Sequence, residues 1–427
     1  MKIETVRRLA IACFLGSVFL QGHVVAQDQD EPFRPQPGQF PPLEMAHSFQ
    51  GELTFVDHAN RRGSVRVAGE GTYFRNAPHP FAMLPYGVLR YHDAPADLRD
   101  IPLGTVLHFR SFLPPDPKFS SVPVLPVNNR NKTAGYSGVG IAPAENHVIL
   151  VEDEPSYCRR LGLVWRVKDV EVKSDGGLLT AQRIAKASNE ESEQFDALTY
   201  DSATRFWKGR EKLSVRDVVA DGLWPESGKQ EMSNLTVLLG LTWKPTPSGV
   251  FTRFHVSDVW LDDAAMERAA ATQTETHKAF IRSRWMPAWI DQVEYEKFGN
   301  AIVTVTLFGG MDPSLYAAFR KGNSAMINAS ENTLKHAGGN YGPSHMASRG
   351  NILEVIKAAG EIPLGSSGIQ LKFKTDLIIE GIRPGRVVRV YPGGWPMVNL
   401  PREEFLGGGS GLFELRFPSP AIFPNYK

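Results

Sequence analysis

Leu53-Thr54-Phe55-Val56-Asp57, followed by Gly63 and then Val65 and Val67, is the stretch that decides the fold, because its pattern recurs twice. The second copy is Val167-Lys168-Asp169-Val170-Glu171, with Gly177 at the same offset and then Leu179 and Ala181. The third is Ile290-Asp291-Gln292-Val293-Glu294, with Asn300 at that offset and then Ile302, Val303 and Val305. Each reads as an alternating strand, a polar turn and a second alternating strand, the pattern of a β-hairpin. Gly and Asn suit the turn because positive φ costs them little.

A second element closes the modules. Ile101-Pro102-Leu103-Gly104-Thr105-Val106 matches Ile382-Arg383-Pro384-Gly385-Arg386-Val387 in spacing, and both continue as alternating apolar residues. Val219-Ala220-Asp221-Gly222 reads as a degenerate middle copy. The next strand there, Val237–Trp243, follows a polar insertion from Glu226 to Asn234. Two elements recurring in the same order predict a mainly β protein of about three tandem small antiparallel barrels. The predicted boundaries are 48–160 for the first module with its connecting loop, 161–285 for the second with a linker helix, and 286–406 for the third with helical insertions.

The opening at Val56-Asp57 and the closing Ala96-Asp97-Leu98-Arg99-Asp100-Ile101-Pro102-Leu103-Gly104-Thr105-Val106 resemble a family of OB-like repeat domains of unknown function, found in tandem in exported bacterial proteins. Thr204-Arg205-Phe206-Trp207-Lys208-Gly209 is similar to the place where those domains carry a threonine before a polar loop. The resemblance spans most of residues 48–400 loosely and rests on turn and strand signals. It implies OB-like barrels and brings no catalytic residues. The middle and third modules depart from it by long insertions.

Helical periodicity marks a linking helix after Asp262-Asp263, with Met266, Ala269, Ala270, Gln273, His277, Phe280 and Ile281 on three- and four-residue steps and Pro287 just past its end. Shorter helices are predicted over Pro313–Lys321 and Asn351–Ala359. A strand is expected over His147–Val151, after a loop containing Asn128–Gly138. Residues 27–47 are a proline-rich spacer, and 407–427 a glycine-rich tail in which Leu412–Phe417 could add an edge strand.

The N-terminus reads as a secretory signal peptide. Lys2, Arg7 and Arg8 precede an apolar run from Leu9 to Phe19, and small residues end at Ala26, the expected cleavage site. That run is shorter than the roughly 20 residues a membrane span needs. Removing residues 1–26 takes three basic residues and one acidic one from totals of 47 and 46, leaving 44 against 45. A near-neutral chain without a basic stripe has no electrostatic grip on nucleic acid or anionic lipid. The expected location is secreted or periplasmic, with no membrane insertion after cleavage.

Chemistry is sparse. No phosphate loop, nucleophile elbow or His-Glu-x-x-His occurs, and no cofactor is implied. Cys158 stands alone once Cys13 leaves with the signal, and reads as a buried, inert thiol. The candidate histidines are His92 with Asp93 and His108 in the first module, His255 with Asp258 in the second, and His336 and His345 flanking a glycine-rich loop in the third. None has a ligand spacing that specifies a metal. The neighbouring carboxylates Asp97 and Asp100, Glu152 to Glu154, and Asp262 and Asp263 suit turn and cap roles. Trp224 and Trp395, beside proline or glycine in loops, are candidates to stack on a sugar or a partner, against the alternative that they cap barrel ends.

The expectation is therefore an exported, non-enzymatic binding or scaffolding protein of the cell envelope. Its binding residues would be drawn from Trp224, Trp395, His92 and His108, and its partner would be a glycan or protein. The alternative is a secreted hydrolase with a site between the second and third modules, near Trp224, His255 and the His336 to His345 loop. A purely structural envelope protein is a third reading.

Overall fold

The computed structural model describes residues 33–36, 38–58, 61–67, 78–112, 146–174, 176–186, 195–232, 235–245, 252–329, 347–376 and 382–396. The expected signal segment (1–26), the expected loop at Asn128–Gly138, His336, His345 and residues 407–427 lie outside them. No helix among the described residues is long and apolar enough to cross a membrane.

The first barrel contains β1 (His47–Asp57), β2 (Arg62–Val67), β3 (His79–Tyr91), β4 (Ala94–Pro95), β5 (Val106–Phe112) and β6 (Asn146–Asp153). It closes in the order β1-β2-β3-β6-β5, with β4 attached to β3 and only β3–β6 parallel. The chain then forms α1 (Glu154–Leu161) and enters the second barrel, with β7 (Leu163–Lys173), β8 (Gly176–Ala185) and β9 (Asp196–Asp201). After β10 (Arg205–Lys208), β11 (Glu211–Leu213), α2 (Val215–Ala220) and β12 (Gly228–Glu231) come β13 (Thr236–Pro245) and β14 (Thr252–Trp260). The order β7-β8-β9-β14-β13 repeats that of the first barrel, again with a single parallel junction at β9–β14. This five-stranded order with one parallel closure is OB-like.

The third barrel is closed differently. After α3 (Asp263–Arg284), it uses β15 (Met286–Tyr295), β16 (Ala301–Phe308), α4 (Pro313–Tyr316), β17 (Ser324–Ala329), β18 (Ser348–Lys357), β19 (Ser366–Thr375) and β20 (Val387–Tyr391). Its six strands close as β15-β16-β19-β18-β17-β20, every pair antiparallel.

The repeated hairpins occupy β1–β2, β7–β8 and β15–β16, and they share a feature beyond hydropathy. Each carries a register shift at the same repeat position: between Leu53 and Phe55, between Val167 and Asp169, and between Ile290 and Gln292. A bulge there bends the strand so that a short sheet can close. The closing element docks on the residue before the bulge. Leu53 N–H donates to Thr105 O at 2.9 Å and accepts at its own carbonyl from Gly104 N–H at 2.7 Å. Ile290 makes the same two bonds with Arg386 O and Gly385 N–H, at 2.9 and 2.8 Å. Gly104 and Gly385 have φ of 91° and 76°, so glycine is required at both turns. In the middle barrel Val167 N–H donates to Leu235 O at 2.9 Å. The Val219–Gly222 segment is therefore no closing turn. It ends α2, which begins with a capping box between Ser214 and Asp217.

The helix predicted over Asn351–Ala359 is also corrected, since residues 351–357 belong to β18, which ends at Lys357. Their apolar spacing fits a helix because a bulge between Ile352 and Glu354 breaks the strand's alternation. Ile352 and Val355 both pair with inward residues, Phe373 and Leu371, although they are three apart. The helix over Pro313–Lys321 is a single turn, Pro313–Tyr316.

The linking helix α3 touches all three barrels. Asp262 caps it, accepting from Ala265 N–H at 2.7 Å. Ala265 and Met266 join the second barrel's core, and Ile281 joins the third's. Between them Gln273 donates to Asp100 Oδ2 of the first barrel at 3.0 Å, and Arg99 lies 4.9 Å over the Phe280 ring. Twenty-two residues span about 33 Å, enough to brace three small barrels. The described part of the proline-rich segment is packed as well: Phe40 lies 4.2 Å from Trp289 and 5.0 Å from Tyr86, bridging the first and third barrels.

Candidate functional site

Strand β6 runs straight into α1, and this junction organises a charge-rich region of the fold. Asp153 is the N-cap, Pro155 sits in the first turn, and Gly162 ends the helix at φ 66°. The inward face of α1 carries Glu154, which is fully buried. Arg183 donates to both its oxygens, at 2.6 and 2.9 Å. Trp165 Nε1 donates at 2.9 Å, the Cys158 thiol at 3.2 Å, and His108 Nε2 lies 2.6 Å from Oε2. Burial alone would raise this carboxyl, but the His108 hydrogen bond and the Arg183 charge outweigh it and hold it down to about 2. Glu152, also buried, is gripped by Arg160 Nε at 2.8 Å.

The outward face of α1 opens on a cleft of about 510 Å³ between the first and second barrels. Arg90 and Asp93 come from the first barrel, Arg159 and Arg160 from α1, Lys186 from the second, and Asp263 and Glu267 from α3. The charges form a chain across it. Arg90 Nη2 meets Asp93 Oδ1 at 2.8 Å, and Arg159 reaches Asp93 at 3.4 Å and Asp263 at 3.0 Å. Lys186 closes on Asp263 at 2.9 Å. The Lys186 hydrogen bond, with Arg159 beside it, holds the Asp263 carboxyl below the usual carboxylate range. Such partly exposed pairs are individually weak. An incoming polar ligand can therefore exchange with them at small cost.

His92 and Asp93 form the two-residue turn between β3 and β4, with φ of 53° and 60°. Turns of this kind normally carry Asn-Gly. Here the backbone is held by donors to α1's cap: His92 N–H to Asp153 Oδ2 at 2.9 Å and Asp93 N–H to Ser156 Oγ at 2.8 Å. The His92 ring stacks on Tyr91 at 3.8 Å and meets the Trp260 edge, while His108 stacks on Tyr157 at 3.8 Å. The two histidines thus serve adjacent carboxylates, Asp153 and Glu154, through different groups: a backbone N–H and a ring nitrogen. Among the described residues no three His, Cys, Asp or Glu side chains group as a metal site.

The other candidates sit elsewhere. Trp224 is 4% exposed and packs edge-on against Tyr200 and Phe206, capping the second barrel's core, so its ring presents no face for stacking on a ligand. Trp395 is half-buried against Phe319 and Tyr391, away from the cleft. His255 is buried, with Nδ1 2.9 Å from Thr199 Oγ1 and Nε2 3.5 Å from Asp201. No family model and no curated protein matches this chain. The site is therefore read from its geometry. Asp97, Asp153 and Asp262 all act as helix caps, as their sequence setting suggests. The Cys158 thiol is buried and pushed up by burial and by Glu154, an inert state. Sequence reasoning missed Arg90, Arg159, Arg160, Lys186 and Glu154 as a group. The available signal was the acidic run Glu152–Glu154 before Pro155 with Arg159-Arg160 following, a helix with acid at its start and base at its end.

Burial pushes Asp153 up to about 7, against the pull of its Ser156 and His92 hydrogen bonds. A carboxyl raised in the folded state stabilises the fold fully below its ordinary value and loses that contribution as pH rises through about 7. Asp153→Asn keeps a capping acceptor and cannot ionise. Relative to the wild type, it is expected to gain about 1–3 kcal/mol between pH 5 and pH 8 in urea denaturation. Parallel pH profiles for the two proteins would refute this. Burial also drives His92 down to about 4. Its term runs the other way, costing stability as pH falls below about 6.5, and cancels in the comparison.

Proposed function

We propose that the protein is an exported, non-enzymatic binding or scaffolding protein of the cell envelope that receives a polar envelope glycan or protein in the cleft between its first and second barrels. The observation that carries this reading is the cleft's alternating lining, Arg90–Asp93–Arg159–Asp263–Lys186, assembled from two barrels and two helices. Paired donors and acceptors suit hydroxyl, amide and carboxylate groups. Each cation already faces a carboxylate, so phosphate-rich nucleic acid would find no free basic stripe. The signal peptide supplies the envelope address, and the resemblance to OB-like repeats of exported bacterial proteins agrees with it.

The test uses the mature chain on purified peptidoglycan and envelope polysaccharide. Arg159→Gln with Lys186→Gln removes both cations on Asp263 and leaves the fold within about 1 kcal/mol, as expected for exposed pairs. Retention is expected to fall about tenfold or more, the loss of one or two charged hydrogen bonds, while Trp395→Ala is retained like the wild type. Retention unchanged in the double variant, or turnover of a glycan, ester or peptide panel by the wild type, would overturn the reading.

A further inference from the structure

A second, smaller pocket of about 40 Å³, partly open to solvent, lies where the first barrel, α3 and the third barrel meet. Its wall holds Arg61 and Asp97 from the first barrel, His277 from α3 and Arg389 from β20. The Arg61 guanidinium is occupied by main-chain carbonyls, those of Pro85 at 2.7 Å, Gly87 at 2.8 Å and Leu84 at 3.3 Å. None of these acceptors carries a full negative charge. Arg389 Nη1 donates to the Trp285 carbonyl at 3.3 Å, and its Nε is shielded from solvent with no hydrogen-bond partner. His277 is 5% exposed, and its Nδ1 is buried without a partner too.

The charge around these groups is unbalanced. Asp97 is the only carboxylate among the residues lining the cavity, and it also caps the turn Leu98–Asp100. Asp100 and Asp312 act on His277 from farther out. Asp100 is engaged with Gln273 and the Asp97 N–H, and Asp312 caps α4. Burial and the neighbouring Arg61 and Arg284 charges lower Arg389 to about 9 against the pull of Asp97, and burial lowers His277 to about 4. Arg61 and Arg389 are half-buried and neither has a carboxylate hydrogen-bonded to it, so a counter-ion that joins them is favoured.

We propose that this cavity binds a monovalent anion of about the size of chloride, held by Arg389 Nε–H and His277 Nδ1–H beside Arg61. The volume suits it. One water needs about 10–15 Å³ in this measure, so the cavity takes a halide with a water or two and excludes a sugar acid. Neutral His277 can present its Nδ1–H, so binding requires no protonation. The ion would fasten the first barrel to the third through α3.

The test compares melting of the mature protein in sodium chloride, sodium bromide and sodium gluconate at matched ionic strength. Chloride and bromide are expected to raise Tm about 2–4 °C above gluconate, and Arg389→Met is expected to abolish the difference. Crystals grown in bromide should show an anomalous peak beside Arg389 and His277, a readout that does not depend on the variant folding. Equal Tm in all three salts, an undiminished halide shift in a folded Arg389→Met protein, or no bromide at that position would each overturn the proposal.

Discussion

Glu154→Ala is expected to destabilise the protein by about 3–5 kcal/mol, the cost of breaking a buried ion pair by removing one partner. The alanine leaves Arg183 Nε and Nη2, Trp165 Nε1 and the Cys158 thiol without their acceptor, all at the junction of two barrels. His108 loses its 2.6 Å partner as well. Urea denaturation followed by tryptophan fluorescence checks the value. The double variant Glu154→Ala with Arg183→Met should recover a large part of the loss, because no charge is then stranded. A single-variant cost below about 1 kcal/mol would mean the guanidinium and ring find water instead. The site has a pH signature too. Glu154 is held down to about 2, so its contribution is present above the ordinary carboxylate value and is lost as pH falls through about 2.

The cluster around Glu154 shows why fold and site differed in legibility. The hairpins at Leu53, Val167 and Ile290 could be read because strand alternation and turn chemistry are local, and because three copies corroborate one another. Gly104 and Gly385 could be read for the same reason, each needing a positive φ within one turn. The bulges left no mark of their own in hydropathy, and where one fell inside an apolar run, at Leu353, it imitated a helix. The strand order of the third barrel was hidden because it depends on pairings such as Val303 with Phe373, far apart in sequence. The cleft was hidden for that reason in sharper form. Asp93, Arg159 and Asp263 are ordinary surface residues in their own segments and become a site only when α1 and α3 bring them together. Aromatic residues misled in the opposite direction. Trp224 lies in a loop by its neighbours, yet that loop folds back as Leu223 and Trp224 N–H groups bond Val218 O, and the ring enters the core.

Trp285 is the other position where a single change is expected to cost most, and there the order of two substitutions carries the information. It links α3 to β15, is 1% exposed, and packs against Tyr391 at 5.3 Å beside Met326. Truncating a buried tryptophan costs about 3–5 kcal/mol. Its backbone has φ 68° and ψ 165°, a region almost reserved for glycine and worth about 1–3 kcal/mol of strain in any other residue. The indole's burial and the chain reversal between helix and strand hold it there. Ordinarily alanine is more stable than glycine by roughly 0.5–1 kcal/mol. At this position the strain term is the larger, so Trp285→Gly should equal or exceed Trp285→Ala in stability although it removes one more carbon. Urea midpoints for the pair decide it, and a clearly more stable alanine variant would mean the backbone relaxes once the ring is gone. Trp395→Ala, removing a half-buried ring from the same cluster without touching a strained residue, should cost only about 1–2 kcal/mol. The gap between the two tryptophans therefore measures how tightly the third barrel is anchored to α3, the same anchorage that places Ile281 in its core and Asp263 in the cleft.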